Sequence, residues 1–402
     1  MPKRPAGLSC FAATAPGIES LCAAELGALG VRGTAGIGGV AFNGDLTAVA
    51  RANLWLRTAS RVLVRVAEFR ATAFYELELH AKRIAWARYI APGTRVVFRV
   101  TCKKSKLYHS DAVAERLEDA VRRAVPNVET ERASDADDDE TMDAARQLFI
   151  VRFLHDRCTV SADTSGTLLH LRGYRQQVAK APLRETLAAA VLLGAGWTGD
   201  APLTDPMCGS GTIPIEAALI ARRMAPGMHR SFAFQRWPEA DASAMRTVVD
   251  DARTNELARA PVKIEGYDRD AGAIDAARAN AERAGVEADI ELGVQPISAL
   301  APAAAPGLIA SNPPYGVRIG DGDRLRNLYA QLGNVARRAR PGWTVALLSA
   351  DRALDREVGR LEERFATRNG GIPVRLVVGS ASDEARPRPI ARRSRAAGTA
   401  SR

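Results

Sequence analysis

The chain has 402 residues, 47% of them hydrophobic and 25% charged, which is typical of a globular protein with two or three domains. Its net charge of +10 and pI of about 9.7 favour a polyanionic partner, although only seven of its 56 basic residues are lysine, and a coding bias towards arginine explains the charge equally well. The five scattered cysteines and the lack of 18 consecutive apolar residues argue against a disulfide framework, a metal site, a signal peptide and a membrane span, so we expect a cytoplasmic protein.

Residues 1–165 alternate between helical and strand patterns. Apolar residues at helical spacing predict helices over residues 18–29, 46–58, 74–89 and 112–125. Runs rich in valine, phenylalanine and threonine predict strands over 38–45, 61–69, 95–101, 148–154 and 158–163, the last two as a hairpin. We interpret residues 1–50 as a small α+β part and residues 51–165 as a second α+β domain.

Three lysines and two rings lie together in the segment Lys103-Lys104-Ser105-Lys106-Leu107-Tyr108-His109. Long cations contact phosphates, and unpaired bases stack on rings. Lys103, Lys104 and Lys106 are therefore candidate contacts to RNA. A solvated loop is the alternative.

Three other segments carry charge. Five carboxylates in residues 135–140 lack the glycine and the final glutamate of a calcium-binding EF-hand, so we expect a solvated loop. Lys180 and Arg184 precede the glycine-rich loop described next, and they are either cofactor contacts or charges on a linker helix. Residues 386–402 form a basic tail with little to bury, which predicts disorder.

The stretch from Leu203 to Thr212 predicts a strand, a tight loop and the start of a helix. Its two glycines allow the backbone to approach a bound nucleotide closely. The loop lacks the Gly-Lys pair of a phosphate-binding P-loop, which argues against a triphosphate. The candidate cofactor-binding residues here are Asp205, Met207, Cys208, Gly209, Ser210, Gly211 and Thr212.

The next strand of the predicted doubly wound sheet covers residues 262–268 and ends in a carboxylate. Asp268 can accept hydrogen bonds from both hydroxyls of a ribose, and Arg269 follows it in the same candidate site. The alternative for an aspartate here is to cap the following helix, a role that Asp270 can also fill.

A later apolar strand, Leu308–Ser311, ends in Asn312-Pro313-Pro314-Tyr315. The two prolines fix φ and restrict the residues before them, so this turn is rigid. It presents the side-chain oxygen of Asn312 and the carbonyl of Pro313 as hydrogen-bond acceptors that do not titrate. Tyr315 can stack on a base that has left its helical stack.

The glycine-rich loop followed by Asn-Pro-Pro-Tyr-Gly resembles the class I S-adenosylmethionine (SAM) methyltransferases that act on exocyclic amines. Further matches are Gly173-Tyr174-Arg175, residues 181–190, Ala225-Pro226-Gly227 and residues 234–237. With these, nearly the whole chain is similar to the THUMP-domain RNA methyltransferases, and most to those that methylate guanine N2 in bacterial 23S rRNA. The likeness is to the first methyltransferase half of such enzymes, without a second fused methyltransferase domain.

The resemblance implies an α/β protein with SAM as cofactor and RNA as substrate. A Rossmann-like class I methyltransferase domain over residues 166–385 would follow a ferredoxin-like part (1–50) and a THUMP RNA-binding domain (51–165). Asn312, Pro313, Pro314 and Tyr315 would be the catalytic residues, with Tyr315 also contacting RNA and Asn312 also bordering the cofactor.

One position departs from the family pattern. The family usually has an acidic residue after the third strand, which accepts a hydrogen bond from the adenine amino group. This chain has Gln295 there, a neutral amide that can accept the same bond.

Two alternatives to the 23S rRNA enzyme stay open. THUMP enzymes also act on tRNA guanines, so tRNA is the nearest rival substrate. The missing carboxylate near Gln295 is also compatible with an RNA-binding assembly factor whose methyltransferase site has decayed. The sequence makes no prediction of the oligomeric state.

Overall fold

A computed structural model describes residues 7–132, 146–176, 183–303, 305–315 and 322–380. Within these residues the strands form two sheets, one in each half of the chain. The predicted carboxylate run at 135–140, Lys180, the catalytic domain's last residues and the basic tail lie outside the described residues.

The first sheet has the strand order β2-β3-β1-β4-β8-β7-β5-β6. Strand β5 is parallel to both β6 and β7, and the other neighbours are antiparallel. The predicted hairpin of β7 and β8 is confirmed by pairing of Phe149 with Ala162. The strands are β1 (Leu8–Thr14), β2 (Gly33–Gly36), β3 (Gly39–Gly44), β4 (Ala59–Arg70), β5 (Arg95–Lys103), β6 (Glu129–Arg132), β7 (Arg146–Leu154) and β8 (Arg157–Asp163).

In the described part of the N-terminal half, four α-helices pack on this sheet, and each overlaps a segment that the apolar periodicity predicts as helix. The clearest case buries Val113, Leu117 and Val121 at helical spacing, with charged residues on the opposite face. The helices are α1 (Glu19–Ala28), α2 (Leu46–Trp55), α3 (Phe74–Ala81) and α4 (Ser110–Ala124). Residue 50, the predicted domain boundary, lies inside α2, so the sheet and its helices continue across it.

The second sheet has the order β11-β10-β9-β12-β13-β15-β14. Its first five strands are parallel, and β15 runs antiparallel to both neighbours. The strands are β9 (Leu203–Asp205), β10 (Ile264–Asp268), β11 (Ile290–Val294), β12 (Leu308–Ser311), β13 (Thr344–Ser349), β14 (Arg360–Asn369) and β15 (Ile372–Ser380). The strand order reverses between β9 and β12, and the crevice outside the carboxyl ends there is where doubly wound sheets bind ligands.

Helices pack on this second sheet as expected for a Rossmann-like α/β domain, which confirms the predicted fold class. They are α5 (Glu185–Gly194), α6 (Thr212–Ala221), α8 (Ala271–Arg283), α9 (Gly322–Ala339) and α10 (Arg352–Val358). Helix α7 (Ala242–Asn255) instead buries Met245, Val248 and Ala252 in the core of the first sheet, where it packs against α2. Helix α10 and strand β14 are not predicted by the sequence patterns. Strand β14 is an edge strand of mostly exposed polar residues and has no apolar alternation to reveal it.

The segment between α6 and β10 joins the two halves. Its rings Phe232, Phe234 and Trp237 are buried in the core of the first sheet, not of the second. The indole N–H of Trp237 donates to the side-chain oxygen of Gln147 at 2.7 Å. No helix in the described part of the chain is long and apolar enough to cross a membrane.

Candidate active site

The glycine-rich loop between β9 and α6 is shaped by close packing. Gly211 has a φ of +84°, and a Cβ atom there would lie 2.9 Å from the Cβ of Ala277 on α8. A larger residue would therefore push α6 and α8 apart. The buried amide of Asn280, which sequence reasoning missed, donates to the carbonyl of Ser210 at 3.0 Å and fixes the loop from below.

Asp268 holds this loop from the neighbouring strand tip. One carboxylate oxygen accepts the backbone N–H of Gly209 at 3.0 Å, and the other accepts the N–H of Asp270 at 3.0 Å. Asp270 caps α8 through the N–H groups of Gly272 and Ala273, so the two aspartates have separate roles. Asp268 is partly exposed and still has lone pairs to accept further hydrogen bonds.

Asp205 links the two strand tips from beneath the surface. It is 1% exposed, and the same carboxylate oxygen accepts the hydroxyl of Ser311 at 2.7 Å and the N–H of Met207 at 3.1 Å. Burial raises the pKa of Asp205 to about 7, and these two hydrogen bonds oppose that rise. Asp205 therefore positions the ends of β9 and β12 rather than facing solvent.

The Asn-Pro-Pro-Tyr turn follows β12 on the same side of the sheet. The hydroxyl of Tyr315 donates to the side-chain oxygen of Asn312, and the amide of Asn369 donates to the Tyr315 oxygen at 3.4 Å. The ring of Tyr315 packs against the core of the second sheet. Burial raises the pKa of its phenol to about 12, so the hydroxyl stays protonated at neutral pH.

These elements border one cleft of about 570 Å³. Six of the predicted site residues line it: Met207, Asp268, Arg269, Gln295, Asn312 and Pro314. The backbone N–H of Gln295 donates to the carbonyl of Asp268 at 2.9 Å, which ties the tips of β10 and β11 together. The cleft thus joins the glycine-loop side of the site to the Asn-Pro-Pro-Tyr side.

The other predicted residues of these motifs do not line the cleft. Cys208, Ser210 and Thr212 are buried in the loop and the first turn of α6. Burial raises the pKa of the Cys208 thiol well above its usual value, as expected for a packing residue and not for a nucleophile. Asp205, Gly209 and Tyr315 hydrogen-bond to residues that do line it, namely Met207, Asp268 and Asn312. Gly211 and Pro313 are likewise not among the lining residues.

Helix α9 forms a wall of the cleft that sequence reasoning missed. Arg324, Leu325, Leu328 and Gln331 all line it. The helical periodicity predicts the two leucines as core positions of an amphipathic helix, and both are only partly buried. The spacing of these residues shows which side of the helix is apolar but not what that side faces.

A buried ion pair supports α6 directly behind the glycine loop. Arg172 pairs with Glu216, and the Tyr174 hydroxyl donates to the same carboxylate at 2.8 Å. A second N–H of Arg172 donates to the carbonyl of Arg57 in the N-terminal half at 2.8 Å. Arg172, the residue before the Gly-Tyr-Arg motif, therefore connects the N-terminal half to the helix that carries the loop, and Tyr174 of the motif binds the same carboxylate.

The lysine-rich segment belongs to the first sheet. Lys103, Lys104, Lys106 and Tyr108 are exposed near the end of β5, and none of them lines the cleft. Leu154, paired with Lys103 on β7, is an exposed apolar neighbour.

The cleft's donors and acceptors fit a nucleoside. Asp268 offers carboxylate oxygens at a strand tip, Gln295 offers an amide acceptor, and Ile297 and Leu328 supply apolar contact for a planar base. The described residues contain no group of three or more histidine, cysteine, aspartate or glutamate side chains that could hold a metal ion. Fold and cleft together are those of a doubly wound α/β protein with a ligand-sized cleft at the point where the strand order reverses.

Comparison with known families identifies the kind of protein. Residues 172–375 match the model of the RMKL-like methyltransferase domain, and residues 9–63 match the RlmL ferredoxin-like domain. The chain belongs to the RlmL-like methyltransferase family, with a ferredoxin-like domain at its N-terminus.

Two curated relatives agree with this assignment. A protein of Synechocystis sp. described as a candidate RNA methyltransferase is 35% identical over 91% of this chain and 95% of its own length. The ribosomal RNA large subunit methyltransferase K/L of Syntrophotalea carbinolica is 39% identical over 91% of this chain. The match spans only 53% of that longer protein.

Two solved structures share the whole fold. A candidate methyltransferase crystallised with S-adenosylhomocysteine (SAH) is 30% identical with a TM-score of 0.82, covering 93% of this chain and 98% of that one. A predicted N6-adenine-specific DNA methylase of Listeria monocytogenes is 32% identical with a TM-score of 0.81, covering 92% and 96%. Of these two solved structures, only the second is named for a base, which is adenine.

Proposed function

We propose that this protein transfers a methyl group from SAM to the exocyclic N2 amine of a guanosine in RNA, with 23S rRNA as the substrate. The observation that carries the proposal is the cleft that Met207, Asp268 and Gln295 share with Asn312 and Pro314. A methyltransferase needs a cofactor site and an amine site that open onto each other, since methyl transfer is an in-line displacement.

Asp268 is proposed to hold the ribose of the cofactor, and Gln295 to accept a hydrogen bond from its adenine. When bound, SAM supplies an electrophilic methyl group. The partial exposure of Asp268 and its fixed position between two backbone N–H groups support the ribose role. Arg269 lines the same cleft and is proposed to border the cofactor. The backbone of Gly209, Ser210 and Gly211 is proposed to sit against the methionine part.

Asn312 and Pro313 are proposed to grip the target amine. A guanine N2 lone pair is delocalised into the ring, and acceptors for its two N–H groups localise it for attack. The side-chain oxygen of Asn312 and the carbonyl of Pro313 are such acceptors, and Pro314 restricts the backbone that carries them. Tyr315 is proposed to stack on the base once its hydroxyl leaves Asn312.

RNA recognition is proposed for the N-terminal half, in the arrangement of a THUMP domain. The support is the exposed group of Lys103, Lys104, Lys106 and Tyr108, which combines phosphate contacts with a stacking ring. This group lies outside the cleft and would hold a part of the RNA other than the target base.

Transfer of label from methyl-tritiated SAM tests the proposal. Purified protein is incubated with unmodified 23S rRNA or with a pool of unmodified tRNA transcripts. We expect label only in the rRNA, recovered as N2-methylguanosine after digestion. Label in tRNA would show that tRNA, and not 23S rRNA, is the substrate. Label recovered in adenosine would show that the methylated base is adenine and not guanine. No transfer together with no binding of SAM in calorimetry would favour an RNA-binding factor whose methyltransferase site has decayed.

Asn312→Ala provides the matched loss-of-function variant. Asn312 is expected to contact the amine rather than the nucleoside part of SAM, so calorimetry should give an unchanged Kd for SAM. The rate of methyl transfer should fall by about 100-fold or more, because the variant lacks the oxygen that accepts a hydrogen bond from the amine in the transition state. Asn255→Ala, the same substitution at an exposed position of α7, should leave both values unchanged. Equal turnover in Asn312→Ala would remove Asn312 from the mechanism.

A further inference from the structure

A second cleft of about 310 Å³ lies where the two halves of the chain meet. Thr14 and Ser60 line it from the N-terminal half, His170 lines it from the segment between β8 and α5, and Arg184 and Arg368 line it from the second sheet and its helices. Arg184, predicted as either a cofactor contact or a linker charge, thus faces this cleft and not the one that contains Asp268.

The lining of the second cleft is suited to an anion. Two arginines and a histidine contribute nitrogen atoms, and none of the lining residues in the described part of the chain is an aspartate or a glutamate. The Arg368 guanidinium donates one N–H to the carbonyl of Gly371 at 2.8 Å, and a guanidinium has five N–H donors. A carboxylate behind the wall, Glu25, already accepts the backbone N–H of Thr58 at 3.1 Å.

One buried hydroxyl in this cleft, that of Thr14, has no hydrogen-bond partner among the described residues. The side-chain oxygen of Thr14 is buried, with the residue 8% exposed, and it makes no hydrogen bond within the described part of the chain. Buried polar groups are nearly always satisfied, so an orphaned hydroxyl in a cavity wall points to a ligand or water that completes it. The Ser60 hydroxyl nearby donates to the carbonyl of Ala13 at 3.1 Å and has acceptor capacity only.

The second cleft adjoins the Asn-Pro-Pro-Tyr turn. Asn369 lines it, and the amide of Asn369 donates to the Tyr315 hydroxyl at 3.4 Å. A ligand here would therefore sit one side chain away from the residue that touches Asn312. A nucleotide chain entering the main cleft with its target base carries a phosphate on each side of that base.

We propose that the second cleft binds a backbone phosphate of the RNA next to the target nucleotide, through Arg368, Arg184 and the Thr14 hydroxyl. The inference rests on the proposed RNA substrate and assigns the N-terminal half a part in positioning the target nucleotide. Docking of the two halves builds the site, because neither half alone contributes both the arginines and Thr14.

Two variants test the subsite in the full-length protein, with 23S rRNA transcript as the probe. Arg368→Ala should raise the KM for RNA about tenfold, as for the loss of one charged hydrogen bond, and leave the Kd for SAM unchanged. It should also reduce the slope of log affinity against log salt by about 0.7 in filter binding, the value for one single-strand phosphate. The control Arg364→Ala removes the same charge from an exposed position of β14 outside the cleft.

Thr14→Val separates binding from folding. Valine has the same shape without the orphaned hydroxyl, so the melting temperature should stay equal or rise while the KM for RNA rises about threefold. If Arg368→Ala matches Arg364→Ala in KM and salt slope while the wild type methylates RNA, the phosphate subsite is refuted and the function stands. The subsite is likewise refuted if Arg368→Ala weakens the binding of inorganic phosphate but leaves the KM for RNA unchanged. If the wild type methylates no RNA, both proposals fail.

Discussion

The hydroxyl of Tyr315 donates a hydrogen bond to the side-chain oxygen of Asn312, the same oxygen that the proposed reaction needs as an acceptor for the guanine amine. Without substrate, the acceptor is therefore satisfied by the chain itself. The incoming base must displace this hydroxyl, which Asn369 is placed to hold. The turn is closed in this arrangement, and the proposed substrate would have to open it.

Tyr315→Phe tests this competition. Phenylalanine keeps the ring for stacking but removes the hydroxyl, so Asn312 is open to the amine. We expect the KM for RNA to fall by up to about fivefold, the equivalent of one neutral hydrogen bond, with kcat unchanged. Tyr315→Ala, which also removes the ring, should raise the KM. A Phe variant as impaired as the Ala variant would show that the hydroxyl acts in the reaction itself.

Asp268→Asn tests the cofactor side. The amide can replace only part of the carboxylate's acceptor capacity, and charged hydrogen bonds contribute about 1.5–3 kcal/mol each. Calorimetry should show SAM binding weakened at least tenfold. Asp275→Asn on α8, an exposed aspartate outside the cleft, should bind SAM as the wild type does. An unchanged Kd in Asp268→Asn would exclude the ribose contact.

Asp205 gives a prediction in pH. Its pKa is raised to about 7 by burial, while an unfolded aspartate titrates near about 3.9. The folded state therefore binds the proton of Asp205 more tightly than the unfolded state does. The contribution of Asp205 to the free energy of unfolding falls by up to about 4 kcal/mol as the pH rises from about 4 to about 7. Above about pH 7 this contribution no longer changes.

Asp205→Asn should remove that contribution, because asparagine does not titrate and its oxygen can still accept from Ser311 and Met207. Denaturant unfolding at pH 5 and pH 7.5 measures it. Between pH 5 and pH 7.5, the free energy of unfolding should fall more in the wild type than in the variant. The titration of all other carboxylates is the same in both proteins and therefore drops out of the difference. Equal losses would show that Asp205 titrates normally in the folded protein.

Arg172→Ala tests the support behind the glycine loop. It leaves the buried Glu216 carboxylate without its cation, which costs about 3–5 kcal/mol in comparable pairs. The unfolding midpoint should fall accordingly. Arg278→Ala, which breaks an exposed pair with Asp275, should change stability by less than about 1 kcal/mol. A loss in Arg172→Ala no larger than that in Arg278→Ala would contradict a supporting role for the buried pair.

Local sequence motifs predicted well those parts of the candidate site that lie at the ends of parallel strands. The glycine loop, Asp268 and the Asn-Pro-Pro-Tyr turn each follow a short apolar strand, and parallel strands bring their carboxyl ends to one edge. That rule places Met207, Asp268 and Asn312 together without coordinates. The family resemblance supplied the chemistry, and the matched domains support it at the level of the methyltransferase family.

What the sequence could not predict depends on packing between distant segments. The wall formed by α9 and the contact between Asn369 and Tyr315 join residues far apart in the chain. The second cleft requires Thr14 and Arg368 to meet across the junction of the two halves. Periodicity shows which side of an element is apolar, not which element covers it.

The proposed reaction is tested most directly by mass-spectrometric mapping of rRNA and tRNA nucleosides from a strain lacking the gene. We predict that one N2-methylguanosine disappears from 23S rRNA and returns with the wild-type gene but not with Asn312→Ala. A nucleoside profile identical to that of the parent strain would contradict the proposed methylation.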